Sequence, residues 1–372
     1  MNKLSLAFIY TAFAVLTAYP CHADNAQALT HAQGLATHFI AKNPVSKMKW
    51  DWGPAVFLYG LSRFAEQDAI KRDAWVSEID SYQKLWALKG LPAVDWSDEC
   101  ASALSALWLN DKMGISTGIG SAATVAQYVR TAPRNKLGAL DHLGHQSLIS
   151  KIFPDAMWVD SLMMYAVFAA QWGVSQGDAE LLDFGARQPL IFASVLRDTK
   201  TGLFHHAWNV KKDRLFPKNA GYWLRGNAWV LASLIEILEV LPESHALYVP
   251  LKELFVSTAQ AVAQYQMPCG LWDTVIARPG YAYPETSGSA IVAYAFAKGV
   301  RLGFLDRSFS ARADKAFRGV SNYLTPEKDG FSMSGISWFT IPFQDWEYRL
   351  VPLIKNLPYG IGGFLLAASE QK

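Results

Sequence analysis

Apolar positions recur at helical spacing along nearly the whole chain, and clusters of Pro, Gly and Asn/Asp interrupt them at intervals. The pattern predicts helices over 25–42, 54–67, 73–89, 98–110, 122–131 and 155–172, then over 178–197, 226–240, 246–266, 286–302, 308–324 and 359–369. Their character alternates. Even members carry apolar runs such as Ala103-Leu104-Ser105-Ala106-Leu107-Trp108, whereas odd members are amphipathic, as in Asp80-Ser81-Tyr82-Gln83-Lys84. A helix apolar on all sides is buried, and one with a charged face is half exposed. Regular alternation of the two is what an all-α double ring requires, with six helices inside and six outside. One β-like stretch, Gly202 to Asn209, reads as a short hairpin in which one of His205 and His206 faces solvent. No low-complexity linker divides the chain, so residues 24–372 are expected to form one domain.

In the helix expected over 155–172, Asp155 follows Pro154 as a cap and Asp160 falls one turn in, between Val159 and Leu162. A carboxylate on so apolar a helix is costly unless it is paired or used. Either it is a core Asp tied to an Arg or a backbone amide, or it is a catalytic acid whose proton desolvation retains.

Inner helices of a double ring run parallel, so their openings meet at one end. Those openings are Trp50-Asp51-Trp52, Asp95-Trp96-Ser97-Asp98, Trp158-Val159-Asp160, Arg225-Gly226-Asn227-Ala228-Trp229, Glu285-Thr286-Ser287-Gly288 and Pro358-Tyr359-Gly360. Converging helix N-termini also favour an anion. Capping accounts for Asp51 and Asp98 but does not call for Arg225, Trp158 or Trp229.

Composition narrows the partners. The chain carries 14 Trp, 15 Tyr and 20 Phe, and flat rings with polar tips suit stacking on sugars, although core filling is the commoner use of any one Trp. A net charge of +2 leaves no electrostatic footprint for nucleic acid. Met1-Asn2-Lys3, the apolar run to Tyr19 and Cys21-His22-Ala23 read as a signal peptide over 1–23. A mature protein that is periplasmic or secreted, with no membrane segment after cleavage, is the expectation. Cys100 and Cys269 are too few for a disulfide framework and lack metal-ligand spacing; whether they form one bridge is open. No metal or cofactor is called for.

Met157-Trp158-Val159-Asp160-Ser161-Leu162-Met163-Met164, Gly202-Leu203-Phe204-His205-His206-Ala207-Trp208, Arg225-Gly226-Asn227-Ala228-Trp229 and Glu285-Thr286-Ser287-Gly288-Ser289-Ala290 resemble glycoside hydrolase family 105, the unsaturated rhamnogalacturonyl hydrolases. Gly360-Ile361-Gly362-Gly363-Phe364-Leu365-Leu366-Ala367 is similar to its C-terminal signature. The resemblance spans nearly the whole mature chain. It implies an (α/α)6 barrel and hydrolysis of the Δ4,5-unsaturated uronic acid that polysaccharide lyases leave at a non-reducing end. It further implies Asp160 as acid/base, His206 as the second active-site residue, and Arg225, Trp229, Trp158 and Met164 as residues that hold the sugar. Asp98 is the choice for the other family aspartate, with Asp95 its rival. A His common in the loop before the central motif has only His142 and His145 as candidates.

The expected partner is an unsaturated oligosaccharide, and the expected state a monomer. Rival readings are a hydrolase of unsaturated glucuronyl units from glycosaminoglycans or ulvan, and a periplasmic sugar-binding protein with a dead site. A binder needs the Trp and Arg wall but not a desolvated Asp.

Overall fold

The computed structural model describes residues 25–90, 94–145, 150–151, 156–219 and 221–371. The signal peptide read over 1–23 and the cap expected at Asp155 lie outside them. Among the described residues, outer helices Asn25–Lys42, Arg72–Leu88, Ile119–Thr131, Ala179–Leu196, Tyr248–Ala263 and Ser308–Ser321 alternate with inner ones. The inner series runs Trp52–Ala65, Ser97–Cys100 continuing into Leu104–Met113, Leu162–Ala166 continuing into Val167–Gln176, Leu224–Val240, Thr286–Arg301 and Pro358–Ser369. Each inner helix packs on the next and the last packs on the first, which closes an (α/α)6 barrel. Patterning explains the layers. Every residue from Leu224 to Leu238 is buried, whereas Ser308–Ser321 buries mainly the stripe Phe309, Ala313, Ala316, Phe317 and Val320.

The ring closes where the first and last inner helices cross. A Cβ at Gly60 would overlap the Gly362 carbonyl, and one at Gly362 would overlap that of Val56. Glycine here lets two backbones touch, which gives Gly360-Ile361-Gly362-Gly363 a packing reason.

Near the C-terminal ends of the inner helices lies a buried ionic network. Lys298 Nζ donates to Glu236 Oε1 at 2.7 Å and to Glu239 Oε2 at 2.7 Å. Arg63 pairs with both glutamates, while the Tyr59 and Tyr294 hydroxyls donate to Glu236. Four inner-ring stretches contribute when Gln171, 3.3 Å from Glu236, is included.

The start of the third inner helix differs from expectation. Ala156–Trp158 forms strand β1, which pairs antiparallel with β2 (Ala207–Asn209), itself paired with β3 (Arg214–Phe216). The hairpin therefore turns at 210–213, later than the Gly start suggested. Helical turns begin only after Asp160, whose carbonyl accepts from the Met163 N–H at 2.9 Å and the Met164 N–H at 3.2 Å. Residues 157–160 alternate between buried and partly exposed, the period of a strand, so Trp158 and Asp160 share one face. Asp160 thus sits at a strand-to-helix junction rather than inside a helix.

Cys100 is buried and Cys269 exposed, and both thiols are free. Among the described residues no helix is long and apolar enough to cross a membrane.

Candidate active site

A small cavity opens where the inner helices begin. Of the residues named from the sequence, Asp98, Trp158, Asp160, Met164 and Arg225 line it. His206 stands directly behind Asp160. Trp229 is not brought to the cavity: it is fully buried, one turn (roughly 6 Å) deeper along its helix than Arg225. Trp223, just before that helix, stands in the wall, and Trp52 faces the cavity from the first inner helix.

The structure separates the paired candidates. Asp98 and His142 line this cavity, while Asp95 and His145 line a separate, roomier one. His142 is locked in place: its N–H donates to Ala156 O at 2.9 Å, and its Nδ1 lies 2.9 Å from Ser161 Oγ. The ring stacks on Trp158 at 4.4 Å, with Nε2 3.6 Å from Asp98 Oδ1. Both members of the His205-His206 pair are buried, against the expectation of one in solvent. His205 turns away, its Nδ1 2.9 Å from Pro217 O, while His206 stacks on Trp223 at 4.2 Å.

His206 Nε2 lies 3.3 Å from Asp160 Oδ2. Both atoms are buried, and neither has an aligned hydrogen-bond partner among the described residues. The two groups face each other across that gap, close enough for the His206 ring to bias Asp160 toward its ionised form.

Electrostatics divides the two carboxylates. Burial, with the negative charge of Asp160 and then Asp51 adding to it, raises Asp98 well above the usual carboxylate range. Burial also raises Asp160, but His206, His142 and Arg225 outweigh it and hold its carboxyl below the ordinary value. Of the two alternatives the sequence left open, desolvation alone does not retain a proton on Asp160, because its partners reverse the sign. Burial lowers both rings, His142 to about 4, so both are neutral at pH 7.

Arg225 is fully buried between the rings of Trp223 (4.6 Å) and Tyr359 (4.8 Å). Nη1 donates to Ser337 Oγ at 2.6 Å and Ser337 O at 3.1 Å, and Nη2 donates to Trp338 O at 3.0 Å. Its terminal nitrogens thus hold the loop that lends Phe339, Thr340 and Ile341 to the cavity wall, and Nε has no hydrogen-bond partner among the described residues. Glu285 sits 4.0 Å away and caps its own helix by accepting from the Ser287 and Gly288 N–H groups.

Sequence reasoning missed Trp223, Tyr348 and the 337–341 loop. These fall between periodic segments, where helical spacing carries no signal; the aromatic run Trp338-Phe339 was the one available cue.

The family model of Glycosyl Hydrolase Family 88 matches residues 31–372. An unsaturated rhamnogalacturonyl hydrolase of Bacillus subtilis (strain 168) is 26% identical over 317 residues, covering 84% of this chain and 87% of that protein. An unsaturated 3S-rhamnoglycuronyl hydrolase of Alteromonas sp. (strain LOR) is 25% identical over 329 residues, 86% of this chain and 76% of that one. A glycoside hydrolase from family 105 of C. acetobutylicum ATCC 824 matches in structure with a TM-score of 0.80 at 25% identity, covering 92% of this chain and 99% of that chain.

Proposed function

The chain belongs to Glycosyl Hydrolase Family 88 and is kin to the family 105 glycoside hydrolases, and on that premise we propose that it removes a Δ4,5-unsaturated uronic acid from the non-reducing end of lyase-generated oligosaccharides. The observation that carries this reading is Asp160 Oδ2 facing His206 Nε2 at 3.3 Å, both buried, beside a cavity lined by Trp158, Trp223 and Arg225.

An unsaturated uronyl ring is a vinyl ether. Asp160 gives a proton to C4, and the cation that forms at C5 is shared with the ring oxygen. Water adds to C5 and returns its proton to Asp160. The resulting hemiketal opens to a ketone, which leaves C1 a hemiacetal that expels the remaining saccharide. One carboxylate serves both proton transfers. A conventional glycosidase needs two at about 5–5.5 or 6.5–9.5 Å. In the free site burial and neighbouring carboxylates favour the protonated form of Asp98, while the ring partners favour the ionised form of Asp160. The substrate's own carboxylate, arriving with water excluded, raises the proton affinity of Asp160 and so favours the acid form that the first step needs. Trp158, Met164 and Trp223 enclose the ring, and the Arg225 charge with the helix N-termini attracts its carboxylate.

For the saccharide beyond the cleaved bond we favour a neutral sugar of the rhamnogalacturonan type. Phe339 and Ile341 edge the cavity, and Arg225, already engaged, is the only cation among the described lining residues. A sulfated partner would call for free basic groups there. Export to the periplasm or medium and a monomeric state belong to the same proposal; the apolar N-terminal run supports the first.

Incubation with lyase products of pectin, heparin, hyaluronan and ulvan, followed by loss of vinyl-ether absorbance, tests the reading. Turnover of the pectin products is expected. Turnover of the sulfated products alone would reverse the choice of sugar, and binding without turnover would make the protein a sugar binder.

A further inference from the structure

Tyr348 closes the back of the site. It is fully buried, and its hydroxyl lies 2.9 Å from His206 Nδ1, on the side of the ring opposite Asp160. Trp223 stacks on His206 at 4.2 Å and lies parallel to Tyr348 at 6.4 Å, so neither ring is free to turn. The mechanism above gives Tyr348 no task.

A neutral imidazole has one N–H donor and one bare acceptor nitrogen, and the partner of one nitrogen decides which is which. Burial lowers the proton affinity of His206, so the neutral ring is the form to consider. The buried Tyr348 hydroxyl has one proton to donate, and His206 Nδ1 is the partner that the structure sets beside it. A buried hydroxyl proton left without an acceptor is costly, so it is donated to Nδ1. A hydroxyl that donates to Nδ1 leaves that nitrogen bare and puts the ring's single proton on Nε2, facing Asp160 Oδ2 across 3.3 Å.

We propose that Tyr348 is a positioning residue that fixes His206 as its Nε2–H tautomer, making this ring a hydrogen-bond donor at the reacting centre and not a base. The inference rests on the proposed reaction and sharpens it. With Nε2 already protonated, His206 cannot accept the proton of the attacking water, so that proton goes to Asp160. The ring instead donates to a carboxylate oxygen of Asp160 or to the water oxygen, and holds it in line with C5. The same N–H accounts for Asp160 staying ionised in the free site.

The test is nitrogen NMR of protein labelled with ¹⁵N-histidine, with His206 assigned from a His206→Gln spectrum. Wild type should show a bare Nδ1 and a protonated Nε2 at neutral pH. A proton on Nδ1 overturns the proposal whether or not any substrate is turned over, which separates its failure from failure of the proposed function. Tyr348→Phe keeps the stack and removes the donor. It should mix the two tautomers and lower kcat about tenfold, the scale of one lost hydrogen bond, with KM little changed. An unchanged tautomer with unchanged kcat in Tyr348→Phe would equally sink the idea.

Discussion

Asp160 Oδ2 and His206 Nε2 face each other at 3.3 Å, both buried and neither aligned in a hydrogen bond among the described residues. Here strand β1 ends and a helix begins within three residues, and that junction delivers the carboxylate to the cavity rather than to the core.

Replacing Asp160 by Asn keeps shape and removes the transferable proton. Asp160→Asn should fold as wild type and lose about two to four orders of magnitude in kcat. Asp98→Asn should lower kcat by about a hundredfold, because the second carboxyl of the cavity, whose proton affinity is coupled to the charge of Asp160, is lost. Stopped-assay rates with matched circular dichroism spectra check both. Wild-type turnover in Asp160→Asn would move the acid/base role to Asp98.

Arg225→Lys discriminates between attraction and scaffolding. Lysine keeps the charge between Trp223 and Tyr359 but cannot serve Ser337, Trp338 and Thr340 together. The variant should raise KM more than it lowers kcat, and its melting temperature should fall as the 337–341 wall loosens. A lower melting temperature with unchanged KM would confine Arg225 to holding the loop.

Much of this was legible in the sequence because helices announce themselves by periodicity. The alternation of apolar and amphipathic segments is a direct consequence of inner and outer layers, and the residues that open the inner helices do meet at one end. Local competition erased other signals. Ala156–Trp158 lies within an apolar stretch that reads as helix, yet β2 offers backbone partners and claims it. Trp229 has the right spacing from Arg225 for a shared face, but one turn places it below the cavity floor. Tyr348 and Trp223 reach the site from loops and a short helix, and tertiary contact alone identifies them. The sign of the Asp160 shift also needed structure, since burial and ring partners oppose each other.

The exposed rings of Trp338 and Phe339 lie 4.5 Å apart, with Phe339 lining the cavity, and on the proposed function Trp338 is expected to meet the sugar after the cleaved bond. Trp338→Ala should leave kcat nearly unchanged and raise KM for tri- and longer saccharides more than for a disaccharide, by about tenfold if a stacking contact of roughly 1–1.5 kcal/mol is lost. Equal KM changes for both lengths would remove Trp338 from aglycone recognition.

The network at the opposite end of the barrel makes a prediction about stability and acid. Burial raises Glu239, but Lys298 and Arg63 outweigh it and hold the carboxyl at about 2, against an ordinary value of 4.5. Glu236 is lowered for the same reason. A carboxylate with a depressed folded value binds protons more readily unfolded, so its contribution to stability is present above about 4.5 and drains away as pH falls toward about 2. Urea midpoints should therefore hold near neutrality and fall steeply below pH 4.5. Lys298→Met leaves Glu236 without its main counter-charge in a fully buried place, which costs about 3–5 kcal/mol. The ring should loosen along the helices that Glu236 ties together, yet the catalytic end keeps its own contacts. At temperatures where the variant stays folded, its KM should match wild type. A Lys298→Met protein with a wild-type urea midpoint would show that the network is dispensable for the fold.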